Sequence, residues 1–365
     1  SMAVTVNTIR YGRYTPIALY YGEIPIKEMY CGEELVWLDE PSFFYFENIE
    51  STEMTVRINV QDTTLNNSFS FSEDGEEWTE AALTSSFTVA PNSKKYIKGT
   101  FDNGNGRMYF RGNKEHNVGG DVLSLIHGDN FDTTEEMLKD NQFTYLFDSN
   151  TKLKSAEKLI LRSNKMTNGC YNNMFYYCTG LVTPPELPAT KLGNGCYKCM
   201  FQECESMSSA PALPATTLTS QCYYYMFSGC LALTTAPILN AIDLGTSCYY
   251  GMFCRCESLE NVQEILPATE LTVACYVEMF KECRALKVGP ALPAASGITN
   301  CYYEMFNRCT SIESVTCLLE GEHETAWTNR WLEYAPSTGT FTKKTATQWG
   351  TSFSEIPEGW TIVNV

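Results

Sequence analysis

Between residues 170 and 312 the apolar and polar positions of the chain repeat themselves. The phrase Cys-Tyr-x-x-Met-Phe-x-x-Cys starts at Cys170, Cys196, Cys222, Cys248, Cys275 and Cys301, and successive starts differ by 26, 26, 26, 27 and 26 residues. The second cysteine of each copy is Cys178, Cys204, Cys230, Cys256, Cys283 or Cys309, and the residue three further on is always apolar: Leu181, Met207, Leu233, Leu259, Leu286 and Ile312. Set on a helix at about 100° per residue, the six constant positions share one stripe roughly 140° wide, with the variable positions opposite. The pattern therefore predicts a short amphipathic helix with its constant residues inward. The stretch that follows, as in Leu233-Thr234-Thr235-Ala236-Pro237-Ile238-Leu239, predicts a short strand and a turn, because proline limits strand length but suits corners. A period in the twenties is the mark of a solenoid, whose units bury their apolar faces only against one another.

Altered copies flank the six. Phe143-Thr144-Tyr145-Leu146-Phe147, with Asn150 and Leu153, keeps the spacing with Leu-Phe for Met-Phe, and Trp331-Leu332-Glu333-Tyr334-Ala335 carries Trp-Leu there. End units must turn one face to water, so divergence is expected at both ends. The region 143–320 is thus expected to be the repeat domain, with 321–365 as its C-terminal cap.

Upstream the pattern changes. Met54, Val56, Ile58 and Val60 alternate with Thr55, Arg57 and Asn59, giving one buried and one wet face. Phe69 and Phe71, Phe87 and Val89, and Met108 and Phe110 continue it, with turn residues between at Asp74-Gly75, Pro91-Asn92 and Asp102-Asn103-Gly104-Asn105-Gly106. Residues 41–126 therefore read as a β-sandwich-like domain and 127–142 as a linker or cap. In residues 1–40, Tyr20-Tyr21-Gly22-Glu23 recurs ten residues on as Tyr30-Cys31-Gly32-Glu33 and leads to Leu35-Val36-Trp37, which predicts a small β module. The fold class expected is α+β multidomain: N-terminal all-β modules followed by a solenoid of short helices and short strands.

Composition narrows the function. The net charge of −17, from 26 basic and 43 acidic residues, repels nucleic-acid phosphates and anionic membranes. No apolar run reaches the ~18 residues of a membrane helix, so neither nucleic acid nor membrane insertion is expected. Ser1-Met2-Ala3-Val4 shows no basic and apolar leader pattern, so no signal peptide is expected there.

The repeats, with their Leu-Pro-Ala-Thr tails such as Leu187-Pro188-Ala189-Thr190, resemble the BspA-like leucine-rich-repeat proteins of anaerobic bacteria and their phages. The likeness spans about 143–365, including Ser337-Thr338-Gly339-Thr340-Phe341 and Ile356-Pro357-Glu358-Gly359-Trp360-Thr361. It implies a leucine-rich-repeat-like α/β solenoid and a binding or adhesion role. The N-terminal stretch from Tyr20 to Trp37 resembles short modules of phage tail and virion proteins, which implies attachment to other virion proteins. Ser72 to Trp78, followed by Tyr109-Phe110-Arg111-Gly112-Asn113, resembles a β domain that precedes such repeats.

Candidate chemistry is sparse. The three histidines, His116, His127 and His323, lie outside the six regular copies, so a Cys–His pair is not expected and no catalytic residue is assigned. Cys196-Tyr197-Lys198-Cys199, with Cys204, and Cys254 with Cys256 are zinc-like spacings. However, three of these five belong to the repeat, and neither a metal nor a cofactor is expected. The recurring cysteines are expected as reduced, buried ladders, since residues eight apart on a helix lie ~12 Å apart, too far for a disulfide. No acidic residue is constant across the copies, which removes the carboxylate pair of a glycosidase as a repeat feature. The informative positions are the variable ones. Tyr224, Tyr225, Tyr250 and Tyr303 are expected on the outward helix face, where tyrosine gives contact area at low entropy cost. Thr234, Glu260 and Lys287 are expected on the strand face. A non-enzymatic receptor-binding protein of a virion, recognising a protein or glycan on a cell surface, is the first expectation. A secreted or surface adhesin is the alternative, ahead of a structural spacer or a glycan-active enzyme. The expected location is accordingly virion, extracellular or cell surface.

Overall fold

The structure, a computed structural model, describes residues 20–21, 24–25, 28–31, 34–38, 43–60, 68–81, 86–101, 108–133, 139–161, 166–320 and 323–365. Ser1 to Val4, Gly22, Glu23, Gly32, Glu33, the expected turn at 102–106 and residues 134–138 of the expected linker lie outside them. The contacts divide the chain into two units, Ser1–Phe43 and Phe44–Val365. In the first, β1 (Tyr20–Tyr21) pairs antiparallel with β2 (Ile24–Pro25), and β3 (Glu28–Cys31) with β4 (Glu34–Leu38). The Tyr-x-Gly duplication is thus two successive hairpins.

The second unit opens with strands whose alternation matches the sequence pattern. They are β5 (Tyr45–Asn48), β6 (Met54–Val60), β7 (Phe69–Ser72), β8 (Thr79–Ala81), β9 (Ser86–Val89), β10 (Lys94–Gly99), β11 (Met108–Gly112) and β12 (His116–Asp121). Met54, Val56 and Ile58 are buried, whereas Arg57 and Asn59 are exposed. One sheet runs β13-β12-β5-β10-β7-β8 and the other β11-β6-β9, where β13 is Leu153–Ile160. Phe46 of the first sheet meets Phe87 and Phe110 of the second at 5.6 and 5.5 Å, so the inner faces share one aromatic core. At the Asp74-Gly75 turn, Asp74 Oδ1 accepts the N–H groups of Glu76 and Glu77, and Gly75 takes a φ of 82°.

Strand β13 lies in the altered copy that precedes Cys170, yet it pairs parallel with β12. The sheet therefore runs across residue 126, where the sequence pattern places a domain boundary. Between β12 and β13, α1 (Ser124–His127) and a 3-10 segment (Gly128–Thr133) make the connection.

The recurring phrase is not helical. In the second unit the described α-helices are α1 and α2 (Thr325–Thr328), and all six copies are runs of turns. Left-handed residues recur every fourth position: Gly169, Asn173 and Tyr177 in the first copy, Gly195, Cys199 and Glu203 in the second, Asn300, Glu304 and Arg308 in the sixth. Alternate N–H groups then have different destinations. In the first copy Met174 and Cys178 donate within the copy, to the Tyr171 and Phe175 carbonyls, while Tyr171, Asn173, Phe175 and Tyr177 donate to Cys196, Lys198, Met200 and Gln202 of the next. A helix would use every N–H beyond its first turn internally; here half of them bind the neighbouring copy. The turns are completed across the stack, so a copy standing alone would leave half of these N–H groups without their partners.

The expected short strand is also reduced. It survives as single parallel bridges between copies, such as Thr235 with Asn261, Leu213 with Leu239 and Val288 with Ser314. At the end of the chain, β14 (Ser314–Cys317), β15 (Thr340–Lys343) and β16 (Thr361–Asn364) extend the same side as a parallel sheet. Overall the second unit is mostly sheet and turns with few helices.

The constant residues form the core. Tyr171, Tyr197, Tyr223, Tyr249, Tyr276 and Tyr302 stack with ring centres 5.6–6.1 Å apart. Phe147, Phe175, Phe201, Phe227, Phe253, Phe280 and Phe306 form a second column at 5.2–5.7 Å. The altered end copies close both: Phe143 stacks on Tyr171, and Trp331 meets Tyr302 and Phe306 together. The twelve phrase cysteines are unpaired and buried. Each second-position thiol donates to the phenylalanine carbonyl of the preceding copy, as Cys230 to Phe201 at 3.2 Å and Cys283 to Phe253 at 3.1 Å. A small apolar side chain with one weak donor fits this position.

Candidate functional surface

The period-four ribbon decides which variable side chains reach water. Counting the first cysteine as zero, positions two, three, six and seven point away from the core columns. Tyr224, Tyr225 and Tyr250 hold such positions, but they are half-buried. Tyr224 lies 4.8 Å from Tyr225 and 4.9 Å from Tyr250, and Tyr225 lies 5.4 Å from Tyr250. The expectation of three open tyrosines on a helix face is corrected: they pack on one another because position three is left-handed and folds its side chain across the next copy.

Charged groups fasten this layer. The Tyr225 hydroxyl donates to the Glu278 carboxylate. Burial, and then Glu278 itself, hold the Tyr225 proton far above the ordinary phenol range. Lys281 Nζ donates to Glu278 at 2.9 Å and also to Glu304. Burial opposes the Lys281 charge, but the bonds to Glu304 and Glu278 outweigh it and leave its pKa raised. Arg330 reaches Glu304 at 3.2 Å and Glu333 at 2.7 Å, and Arg255 reaches Glu203 at 2.8 Å. Tyr303 stands apart from the other three, half-buried beside Glu304 and Arg330. These groups satisfy each other, so this side is a brace between copies.

The opposite side differs. Thr234, Glu260 and Lys287 occupy one position in three consecutive copies, and all are exposed. Their backbone is committed: the Thr234 carbonyl accepts the N–H groups of Glu260 and Asn261, and the Lys287 carbonyl those of Glu313 and Ser314. The side chains are thereby held in a file while remaining open. Ile238, Ile242, Ile265 and Val288, from the same bridge-forming stretches, are 50–61% exposed. Singly exposed aliphatics are ordinary, and these four hold different positions within their copies.

The thiols are poor reagents. Burial pushes Cys170, Cys222 and Cys275 up to about 12, and Cys199 up to about 11. A nucleophilic cysteine needs the reverse shift. Cys196 belongs to the column of first cysteines, Cys199 is buried outside it, and no group of three metal-ligating side chains converges among the described residues. His116 is buried against Phe46, with its ring nitrogens near the Lys114 carbonyl and the Asn150 amide at 2.7 and 3.0 Å. Burial lowers its pKa to about 4, so it sits in the core as the neutral ring.

Two features escaped the sequence reading. Glycine or asparagine just before the first cysteine, as in Gly169, Gly195 and Asn300, and glycine at Gly229 and Gly251, mark positive φ angles. Asn168 and Asn194, one residue earlier, form a side-chain ladder: the Asn194 N–H donates to Asn168 Oδ1 and the Ser220 N–H to Asn194 Oδ1. Both signals were present as Asn-Gly-Cys in two copies. Comparison of the chain with protein families, curated proteins and solved structures finds no match.

Proposed function

We propose that the protein is a non-enzymatic binding protein whose repeats form a leucine-rich-repeat-like solenoid and present the file Thr234, Glu260 and Lys287 to a protein or glycan on a cell surface. One observation carries this reading: residues constant between copies are buried, while residues that change from copy to copy hold the exposed bridge side. A scaffold with one fixed interior and a varied exterior is what recognition requires, whereas an active site needs a single constellation that repetition does not supply. The resemblance of the Tyr20–Trp37 stretch to virion modules favours a virion receptor-binding protein that assembles through its N-terminal part, over a secreted or surface adhesin.

Fluorescently labelled full-length protein should bind intact bacterial cells saturably. Replacing Thr234, Glu260 and Lys287 together by Arg, Lys and Glu should abolish that binding without shifting the melting temperature. Cell binding that survives the triple change removes this face as the binding surface. Turnover of glycans or peptides that disappears on mutation of one carboxylate would overturn the non-enzymatic reading.

A further inference from the structure

Glycine at the left-handed position before the first cysteine opens the surface of two copies. Across the altered first copy and the three that follow it, Asn141, Asn168, Gly169, Asn172, Asn194, Gly195, Lys198, Ser220 and Gln221 enclose an open trough of about 300 Å³. Its floor is shaped by two glycines: the equivalent residues later in the chain are Gln221, Ser247, Ala274 and Asn300. A side chain at Gly195 would enter open space, since its Cβ would meet nothing nearer than Lys198 Cβ at 3.9 Å. The trough is therefore open at Gly195, whereas at Gly169 the Asn141 amide oxygen stands where a Cβ would be.

The lining has a definite chemistry. Among 43 acidic residues in the chain, none lines the trough, although Asp140 stands at one end bonded to the Asn168 backbone and amide. Five carboxamides line it, and Asn168 commits its amide to Asp140 and its oxygen to the Asn194 N–H. The oxygens of Asn172, Asn194 and Gln221 each accept one bond, from Asn173, Ser220 and Lys198, and keep a second lone pair; the Asn194 Nδ2 has no protein acceptor among the described residues. Lys198 Nζ bonds Gln221 Oε1 at 3.1 Å and lies 4.5 Å over the face of the Tyr224 ring, which holds the cation at one wall. The volume lies at the small end of ligand sites and the walls are polar, which disfavours apolar molecules. Neutral paired donors and acceptors match vicinal hydroxyls, and the lone cation matches a carboxylate on one ring.

We infer that this trough is a saccharide-binding site, selective for short oligosaccharides that carry a uronic acid or other acidic sugar beside neutral ones. The inference rests on the reading of the protein as a surface-binding module and names a second, separate contact from the bridge-side file.

The test uses the full chain and an array of neutral and uronic-acid oligosaccharides, followed by titration calorimetry on the tightest. Gly195→Asn fills the trough with a residue the fold already accepts in the left-handed conformation at Asn300. It should lower affinity at least about tenfold while the circular dichroism spectrum is kept and the melting temperature falls only by the small left-handed strain of asparagine. Lys198→Gln should weaken acidic sugars several-fold and leave neutral ones alone. Binding of no oligosaccharide, or undiminished binding by Gly195→Asn, overturns the inference. The two readings separate on cells: if labelled protein still binds cells through the bridge-side file while no saccharide binds, the trough alone fails. If saccharides bind the trough but cells are not bound, the trough stands and the broader reading fails.

Discussion

The sandwich and the repeats bury aromatic residues in opposite ways. Phe46 meets Phe44, Phe87, Phe110, Phe147 and His116 at interplanar angles from 37 to 85°, a neighbourhood used once in the molecule. Phe227 meets Phe201 and Phe253 at 4 and 6°, and the same contact recurs along the stack. In the first region a residue answers to a unique set of partners. In the second it answers to its own translated copy, so backbone and side chain must both fit a repeat of themselves. That is why the ribbon commits half of its N–H groups to the neighbour and why its ends need Phe143 and Trp331.

The comparison is sharpest in pH. Each buried thiol at about 12 keeps its proton in the folded state, while its ordinary value is 9.0. Between those values the unfolded chain binds fewer protons, so stability falls as pH rises, by about 1.4 kcal/mol per thiol per pH unit. Several such thiols acting together exceed a typical total stability of about 5–15 kcal/mol within one to two units. The protein should therefore unfold steeply above pH 9, as followed by circular dichroism. A flat profile to pH 11 would deny the burial of the cysteine columns.

Next in size is a break in a column. Phe227→Ala should cost roughly 3–5 kcal/mol in denaturant unfolding, because two stacked faces lose their partner. A loss below about 1 kcal/mol would place Phe227 at the surface.

The sandwich side of the unit should weaken at the other end of the pH scale. His116 is held neutral with its pKa lowered to about 4, against an ordinary 6.5. Its contribution is whole above pH 6.5 and is lost as pH falls toward 4, because the unfolded ring takes up a proton that the folded one refuses. The loss is about 3 kcal/mol at most. An NMR titration of the His116 ring near 6.5 would contradict this.

Smaller still is the tyrosine layer. Tyr225→Ala should cost roughly 1–3 kcal/mol through loss of the Tyr224 and Tyr250 contacts and the Glu278 bond, whereas Thr234→Ala should stay within about 0.5 kcal/mol. Equal effects in melting experiments would erase the distinction between brace and open face.

Much of this was legible in the sequence. Alternation located Met54, Val56 and Ile58 correctly, and the spacing of Cys, Tyr, Met and Phe identified every core column. The secondary structure of the phrase was not legible from apolar spacing alone. Inward positions at zero, one, four, five and eight fit a period of 3.6 and a period of four equally over so short a run. Glycine and asparagine at the left-handed positions distinguish the two, but Tyr225, Glu278 and Glu304 occupy the same place and hide the signal. The inward collapse of Tyr224, Tyr225 and Tyr250 followed from that ambiguity. Thr234, Glu260 and Lys287 are polar residues at a position that varies between copies, and they are exposed together with their bridged neighbours Thr235, Asn261 and Val288.

Gly251→Ala tests the period-four ribbon most directly. Gly251 has a φ of 59°, and a Cβ there would come within 2.3 Å of the Tyr225 ring. In the ribbon the substitution adds left-handed strain of about 1–2 kcal/mol as well as that clash, so the melting temperature and denaturation midpoint should both fall. Within a helix the same change would raise stability by about 1 kcal/mol, since alanine is the better helix former. A stabilised Gly251→Ala variant would contradict the ribbon.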